Sequence, residues 1–131
     1  FLDIDEKVFQ VAKDNAQTHK LQGPHFYKGD LLEAKAERYD VLLCNLPYVP
    51  LGYPVNDAAQ FEPAHALYSG EDGLDHFRKL FKQLATGLFG TPTILSESLP
   101  AQHAALEALA KAHKYKLHTT DGFAQLLIYK G

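Results

Sequence analysis

Residues 45–48, Asn-Leu-Pro-Tyr, are the stretch whose residue types best suit a chemical task. They follow the apolar run at residues 39–44, which predicts a buried strand delivering a polar loop at its carboxyl end. The amide oxygen of Asn45 and a neighbouring backbone carbonyl can accept both N–H bonds of a planar amino group, while Tyr48 covers one face. The alternative is an Asx-type turn beside a packed tyrosine. The pattern indicates a site for an amide or amino nitrogen.

The elements that must position this loop alternate between strands and helices. Apolar residues at helical spacing, Gly-Pro and Asp-Gly breaks and short apolar runs set their bounds. We expect helices at 6–18, 74–88 and 100–113, and strands at 25–28, 39–44, 91–96, 115–120 and 124–129. Residues 1–5 are expected to form the end of a further strand and the turn after it. Asp5 is the expected N-cap of the first helix. This order predicts a doubly wound α/β sheet that ends in an antiparallel hairpin, with ligands at the carboxyl ends of its strands.

Composition places the chain among globular enzymes. It has 131 residues, 46% hydrophobic and 22% charged, with a formal net charge of -3. These values predict one soluble domain with no membrane span, and the slight acidity argues against tight binding to duplex nucleic acid. The single cysteine, Cys44, excludes an intrachain disulfide framework and favours a cytoplasmic location. We interpret it as a buried strand residue rather than a nucleophile.

The connection at residues 49–72 is rich in proline and glycine and is long enough to suggest a functional loop. Its end, Gly70-Glu71-Asp72-Gly73, superficially resembles a phosphate loop but lacks the required lysine. Helix capping by Ser69 or Asp72 explains it better. The seven histidines show no metal-ligand spacing with Cys44, so we expect no metal site.

The sequence resembles the catalytic domain of the HemK/PrmC family, the protein-(glutamine-N5) methyltransferases that modify peptide release factors. The likeness lies in the 45–48 loop, hereafter the signature loop, and in several stretches along the chain. These stretches are Leu2-Asp3-Ile4-Asp5 with Ala12 and Asn15-Ala16, Gly29-Asp30-Leu31, Phe61-Glu62-Pro63, Ala66-Leu67, Gly70 to Leu74, and Glu97 with Gln102. The resemblance implies a Rossmann-like class I methyltransferase sheet, mostly parallel, with S-adenosyl-L-methionine as cofactor.

The sequence departs from the family in several ways. The family's glycine-rich loop after the first strand and its N-terminal helical domain have no counterpart here. We therefore expect residues 1–131 to be a C-terminal portion of the methyltransferase domain, with the first strand missing. Leu46 replaces the first proline of the family's Asn-Pro-Pro-Tyr signature, and Gln125 stands where members often carry arginine.

The resemblance also implies roles for the signature loop. Asn45 and the carbonyl of Leu46 would hold the amide nitrogen of a substrate glutamine, and Pro47 and Tyr48 would complete this catalytic and substrate-binding set. A backbone carbonyl serves as well from leucine as from proline, although leucine gives up the fixed φ. Glu62-Pro63 would shape the substrate entrance or pack the loop against the sheet.

The cofactor residues implied by the resemblance are Asp3, Ile4, Asp30, Leu31 and Asn45. Asp3 would accept hydrogen bonds from both ribose hydroxyls, as acidic residues do in dinucleotide-binding folds. The other interpretation of Asp3 is a capping or turn residue. Asp30 and Leu31 would border the adenine, and the alternative for Asp30 is an ordinary Gly-Asp turn.

Three functions remain open at this stage. The leading hypothesis is N5-methylation of a glutamine in a protein, with a peptide chain release factor as partner. The second is N-methylation of an exocyclic amino group in RNA or DNA, although we do not expect nucleic acid as a direct substrate. The third is a non-catalytic fragment or binding module, because the glycine-rich loop that would hold the methionine end of the cofactor is absent.

Overall fold

The computed structural model describes the backbone of residues 1–131 and every side chain except those of residues 34 and 60. The chain divides into two compact units, Phe1–Glu37 and Arg38–Gly131. Each unit contains its own sheet, one of two strands and one of four. In the described part of the chain, no helix is both long enough and apolar enough to cross a membrane.

The first unit is built on two short parallel strands, β1 (Leu2–Asp3) and β2 (Tyr27–Lys28). A 3-10 turn, Glu6–Val8, leads from β1 into helix α1 (Phe9–Thr18). The carboxylate of Asp5 accepts a hydrogen bond from a backbone N–H in this turn, which confirms the predicted N-cap.

A small aromatic cluster packs the first unit. The rings of Phe1, Phe9 and Phe26 have centroids 6.0 to 6.2 Å apart in edge-on and tilted arrangements. Ala16 of α1 and Leu32 are buried within the same unit. Phe9 and Ala16 belong to the helical apolar pattern of the sequence, so this pattern positions α1 on its strands.

The second unit contains a four-stranded sheet in the order β3, β4, β6, β5. The strands are β3 (Val41–Cys44), β4 (Thr93–Glu97), β5 (Tyr115–Asp121) and β6 (Ala124–Tyr129). β3 and β4 are parallel, whereas β6 runs antiparallel to both β4 and β5. The predicted α/β fold with parallel strands and a C-terminal antiparallel hairpin is confirmed.

The predicted 49–72 loop contains more regular structure than its composition indicates. A 3-10 turn, Ala59–Phe61, is followed by the short helix α2 (Ala64–Leu67). Val49 forms a parallel bridge with Tyr68, so the segment after the signature loop is fixed to the residues that follow α2. Proline-rich sequence hides such short elements because their stability comes from tertiary hydrogen bonds rather than from local periodicity.

Helices α3 (Asp75–Ala85) and α4 (His103–Ala112) complete the second unit, and a 3-10 turn, Pro100–Gln102, precedes α4. The sequence predicted that α3 would extend to residue 88. It stops earlier because Gly87 adopts φ +76°, the left-handed conformation with which glycine commonly ends a helix.

The core lies on one face of the four-stranded sheet. Leu42, Ile94 and Leu127 are cross-strand neighbours and are buried. Phe81 of α3 packs against Tyr115 of β5, with the ring centroids 5.5 Å apart. The buried apolar residues of the two helices are Phe77, Leu80, Phe81, Leu84, Leu106 and Ala110.

The opposite face of the same sheet is open at β3, which is an edge strand. Leu43 is 77% exposed, and Val41 and Leu95 are exposed too. The sequence alone predicts that β3 is buried, because four apolar residues in succession suit a strand covered on both faces. The structure covers one face only, and the expectation of a missing first strand stays a prediction.

Replacing a core phenylalanine tests this packing. Phe81 is fully buried, so Phe81→Ala should lower the free energy of unfolding by about 3–5 kcal/mol, as large-to-small core substitutions do. The measurement is urea denaturation at neutral pH. Leu88→Ala is the matched control, because Leu88 is 62% exposed and its truncation should cost less than about 0.5 kcal/mol. Equal costs for the two variants would contradict the assigned core.

Candidate active site

The signature loop begins where β3 ends, at Cys44, and emerges at the carboxyl end of the parallel pair β3–β4. Leu46, Pro47 and Tyr48 are half-buried, whereas Asn45 is exposed. In the part of the chain that the structure describes, the Asn45 side chain forms no hydrogen bond. The alternative of an Asx-type turn is therefore not observed, and both polar atoms of the amide can bind a ligand.

Backbone hydrogen bonds fix the chain just beyond the loop. The N–H of Val49 donates to Leu67 at 2.9 Å, and the carbonyl of Val49 accepts from Ser69 at 3.0 Å. Two residues further along the chain, the N–H of Leu51 donates to the carbonyl of Gly70 at 2.9 Å. These bonds join the exit of the signature loop to the segment at 67–70. The 49–72 connection thus acts as a support for the loop.

Two carboxylates act on the phenol of Tyr48. Burial raises the pKa of Tyr48 above its ordinary value, and Glu97 raises it further through its negative charge and a side-chain hydrogen bond. The charge of Glu62 contributes in the same direction. Tyr48 therefore stays protonated well above neutral pH and can only donate its proton to a carboxylate. The structure thus brings together two residues of the predicted substrate set, Tyr48 and Glu62, and adds Glu97 at the end of β4.

Both residues predicted to cap α3 bond to backbone N–H groups at its start, although the N-cap position itself is held by Leu74, whose side chain forms no capping bond. The Oγ of Ser69 accepts a hydrogen bond from the backbone N–H of His76 at 2.9 Å. The Oδ1 of Asp72 accepts from the N–H of Leu74 at 3.1 Å. The Asp72 carboxylate also pairs with Arg78 at 2.5 and 2.9 Å. The resemblance of residues 70–73 to a phosphate loop therefore has a structural explanation.

Gln125, which replaces the arginine common in the family, is buried at 1% exposure. Its Oε1 accepts from the Oγ of Ser98 at 3.1 Å, and its Nε2 donates to the carbonyl of Phe123. The same amide nitrogen lies 2.7 Å from the Nε2 of His103. An amide nitrogen can only donate, so this imidazole nitrogen accepts and carries no proton. The network fixes the turn between β5 and β6 against the end of β4.

Cys44 precedes the loop and is partly buried at the end of β3. Burial raises the pKa of its thiol to about 12. Because the thiolate is the reactive form, this cysteine is inert at neutral pH. Its interpretation as a strand residue rather than a nucleophile agrees with this environment. Among the described residues, no cluster of three or more histidine, cysteine or acidic side chains could hold a metal ion.

The first unit carries the other predicted site residues at the ends of its two parallel strands. Asp3 ends β1, and its carbonyl accepts from the N–H of Gly29, just before Asp30. Asp3 also accepts from the backbone of Asp5 at 2.8 Å, so one carboxylate oxygen serves the turn. Both interpretations of Asp3 therefore remain open, since its second oxygen can still accept from a ligand. Ile4 is 56% exposed beside it.

Leu31, which follows Asp30, has an unusual backbone. Its φ of +55° lies in the left-handed region that leucine seldom adopts. Residues held in such conformations cost about 1–3 kcal/mol each and cluster at ligand sites. The strain lies at the turn that the sequence assigns to the adenine. The role of Leu31 in cofactor binding stays a prediction that this conformation supports.

Glu97 and Gln102 were matched to the family by spacing alone, and sequence reasoning assigned them no role. Glu97 contacts the phenol of Tyr48, and Gln102 donates to the Tyr48 carbonyl at 2.8 Å. The available signal for Glu97 was its position just after a predicted strand, where polar residues of an α/β sheet meet ligands. The partner of Gln102 lies 54 positions away along the chain, so no local pattern could identify it.

Comparison with known proteins supplies the remaining observation. No protein-family model matches the sequence. The chain is 37% identical over 91 residues to "Release factor glutamine methyltransferase" of Bacillus anthracis, covering 63% of this chain and 31% of that protein. It is 34% identical over 115 residues to the protein of the same name from Enterococcus faecalis, covering 85% of this chain and 41% of that protein. The predicted family resemblance is confirmed.

These matches cover a larger share of this chain than of the related proteins. The chain spans about a third of the length of the curated release factor glutamine methyltransferases that it matches. Among solved structures, the ribosomal protein L11 methylase of Lactobacillus delbrueckii subsp. bulgaricus matches with a TM-score of 0.68 and 13% identity. That match covers 99% of this chain and 56% of the other. The fold is the Rossmann-like one of class I methyltransferases.

The Asp72–Arg78 pair predicts a specific acid sensitivity. The hydrogen bond from Arg78 lowers the pKa of Asp72 from its ordinary value of 3.8 to about 2. A lowered pKa stabilises the fold above the ordinary value, and the stabilisation is lost as the pH falls from about 4 towards 2. Both side chains are half-exposed, so we expect less than about 1 kcal/mol.

The measurement is urea denaturation of wild type and Asp72→Asn between pH 7 and pH 2. The stability difference should be present at pH 7 and shrink through this window. Glu107→Gln, an exposed neutralisation on α4, is the control and should show no such convergence. A constant difference across the range would show that the ion pair contributes nothing to the acid dependence.

Proposed function

We propose that this protein catalyses S-adenosyl-L-methionine-dependent N5-methylation of a glutamine side chain in a peptide chain release factor. The observation that carries this proposal is the match to curated release factor glutamine methyltransferases, which extends over 85% of the chain in one case. The exposed, unbonded amide of Asn45 at the end of a parallel strand supports it, because such an amide can bind a planar nitrogen group.

The roles in this proposal follow from the chemistry of an amide nitrogen. The oxygen of Asn45 and the carbonyl of Leu46 accept the two N–H bonds of the substrate amide, and Tyr48 covers one face. Pro47 restricts the backbone between Leu46 and Tyr48. With the nitrogen held in line, alignment supplies much of the rate, and no strong base is needed. When bound, the cofactor would supply the methyl group from its sulfonium: the N–C bond forms, the S–C bond breaks, and the substrate nitrogen releases one proton to solvent.

Glu62 and Pro63 are proposed to border the substrate. Glu62 is close enough to Tyr48 for its charge to influence the phenol, and both Glu62 and Pro63 are exposed. A polypeptide that presents a glutamine to Asn45 would therefore meet this carboxylate next to the reacting group. The exposed position makes Glu62 a contact for the backbone N–H groups or cationic side chains of the substrate.

The nucleoside part of the cofactor is assigned to the first unit. Asp3 ends β1 and Asp30 lies just after β2, its parallel neighbour, and their carboxylates suit the ribose hydroxyls and the adenine amino group. Ile4 and Leu31 supply apolar contact beside them. Asn45 is the residue of the signature loop that we assign to the cofactor as well as to the substrate.

Methylation of an exocyclic amino group in nucleic acid is the second candidate. The signature loop suits that chemistry equally, because such a group is also planar. The formal net charge of -3 argues against it, since affinity for nucleic acid depends mainly on cationic residues that contact phosphates. A protein substrate and a cytoplasmic location, with Cys44 reduced, fit the composition better.

The test uses the purified protein, methyl-labelled cofactor and purified release factor. We expect one methyl group on a release-factor glutamine, located by peptide mass spectrometry, and none when that glutamine is replaced by alanine. Label in RNA or DNA but not in release factor would establish the second candidate instead. Absence of cofactor binding in calorimetry would identify a non-catalytic module.

Asn45→Ala tests the residue at the centre of the proposal. We expect kcat to fall on the order of 10²-fold, as when a preorganised hydrogen-bonding group is removed from a site. Cofactor affinity should stay within about threefold, because ordinary single hydrogen bonds contribute little net free energy. Asn15→Ala, on the exposed side of α1, is the matched control and should retain activity. Unchanged kcat in Asn45→Ala would refute the assigned role.

A further inference from the structure

Gln102 is a buried amide at the end of the 3-10 turn before α4, with only 6% exposure. Its Oε1 accepts from the backbone N–H of Leu99 at 2.8 Å. Its Nε2 donates to the carbonyl of Tyr48 at 2.8 Å and to the carbonyl of Asp72 at 2.7 Å. Both amide protons and the amide oxygen are therefore engaged. One side chain joins the signature loop, the segment before α3 and the turn before α4.

The backbone of Gly73 lies close to this amide and to the carbonyl of Tyr48. A Cβ atom on Gly73 would lie 2.2 Å from the Nε2 of Gln102 and 2.2 Å from the carbonyl oxygen of Tyr48. Gly73 also adopts φ +77°, which favours glycine. The contact between Gln102 and Tyr48 therefore depends on a position without a side chain.

Helix capping accounts for only one of these three bonds. In a capping box, a glutamine or a glutamate serves equally, because only the side-chain oxygen is used. The Oε1 of Gln102 performs this function for Leu99. The two donations from Nε2 are not needed for capping, and a glutamate could not make them. An amide at this position therefore supplies the two N–H donors that bond to the carbonyls of Tyr48 and Asp72.

We propose that Gln102 is a positioning residue for the methyl transfer, and this inference rests on the proposed function. It holds the Tyr48 carbonyl and thereby sets the orientation of the last peptide of the signature loop. Asn45 and Leu46 accept the substrate amide from the same short loop. A rotation of the Tyr48 peptide would therefore misalign the reacting nitrogen without removing any group that touches it.

Gln102→Glu separates positioning from capping. The variant retains the bond from Leu99 and places carboxylate oxygens against two carbonyls. We expect kcat to fall on the order of ten- to 100-fold, since small misplacements of the reacting atoms have effects of this size. Cofactor affinity should stay within about threefold, and amide exchange in the peptide spanning residues 45–51 should become faster. Wild-type kcat and wild-type exchange would overturn the proposal.

The pH profile gives a readout that a purely structural role would not change. A carboxyl group buried against carbonyls has a raised pKa, and its protonated form can donate one hydrogen bond. The kcat of Gln102→Glu relative to wild type should therefore rise as the pH is lowered from 8 to 6, a range that raised carboxyl pKa values reach. A flat ratio together with unchanged exchange in residues 45–51 would contradict the role.

Gln125→Glu is the matched control, because Gln125 is equally buried but contacts Ser98, Phe123 and His103 instead. It should lower stability without accelerating exchange in residues 45–51. If Gln102→Glu does not fold, Gln102→Asn, whose amide is one methylene shorter, should show the same fall in kcat, and full activity would overturn the proposal. If the wild-type protein transfers no methyl group, the proposed function fails, whereas the exchange measurement still tests the contact.

Discussion

The parallel pairing of β3 with β4 is the constraint on which the candidate site depends. Cys44 lies opposite Ser96 in this register, so the signature loop and Glu97 leave the sheet at the same edge. A shift of one residue would turn every side chain of one strand to the other face. Either Leu42 or Ile94 would then leave the core, depending on which strand shifts, and this ties the position of the loop to the burial of apolar side chains.

Buried amides near the carboxyl ends of these strands bond to the backbone segments around them. Gln102 and Gln125 are both buried and hydrogen-bonded, one to the signature loop and one to the turn after β5. A buried polar group that loses a partner costs about 1–3 kcal/mol. Each amide therefore penalises alternative conformations of the backbone that it contacts. At the carboxyl ends of these strands, the amides therefore add to the positioning that apolar packing supplies.

The sequence predicted the elements whose stability is local. β6 is observed at Ala124–Tyr129, the bounds that alternation and the Asp-Gly turn indicate. The Asp5 cap and the bonds of Ser69 and Asp72 to the start of α3 follow equally from residue types and spacing. The end of α3 was placed too late, because apolar spacing continues through Leu88 while the left-handed Gly87 stops the helix. The apolar spacing favours a longer helix, but the left-handed conformation of Gly87 ends it.

Contacts between distant parts of the chain could not be predicted in this way. The partner of Gln102 is a backbone carbonyl 54 residues earlier. Because every residue type has a backbone carbonyl, the sequence cannot identify which one accepts the bond. The exposure of Leu43 was also unexpected, because an apolar run predicts burial without indicating whether a second layer is present. Side-chain roles that depend on tertiary neighbours therefore require the structure, whereas roles carried by a loop at a strand end do not.

These tertiary contacts also clarify the substitution of leucine for proline at position 46. Proline would restrict the unfolded chain and stabilise the loop by about 0.4–1 kcal/mol. A hydrogen bond contributes about 0.5–1.5 kcal/mol, and the loop is held at Tyr48 by Gln102 and just beyond it by two bonds of Val49. The combined restraint exceeds what proline would add. Leu46 can therefore keep its carbonyl in place through its neighbours, and its effect on substrate binding should be small.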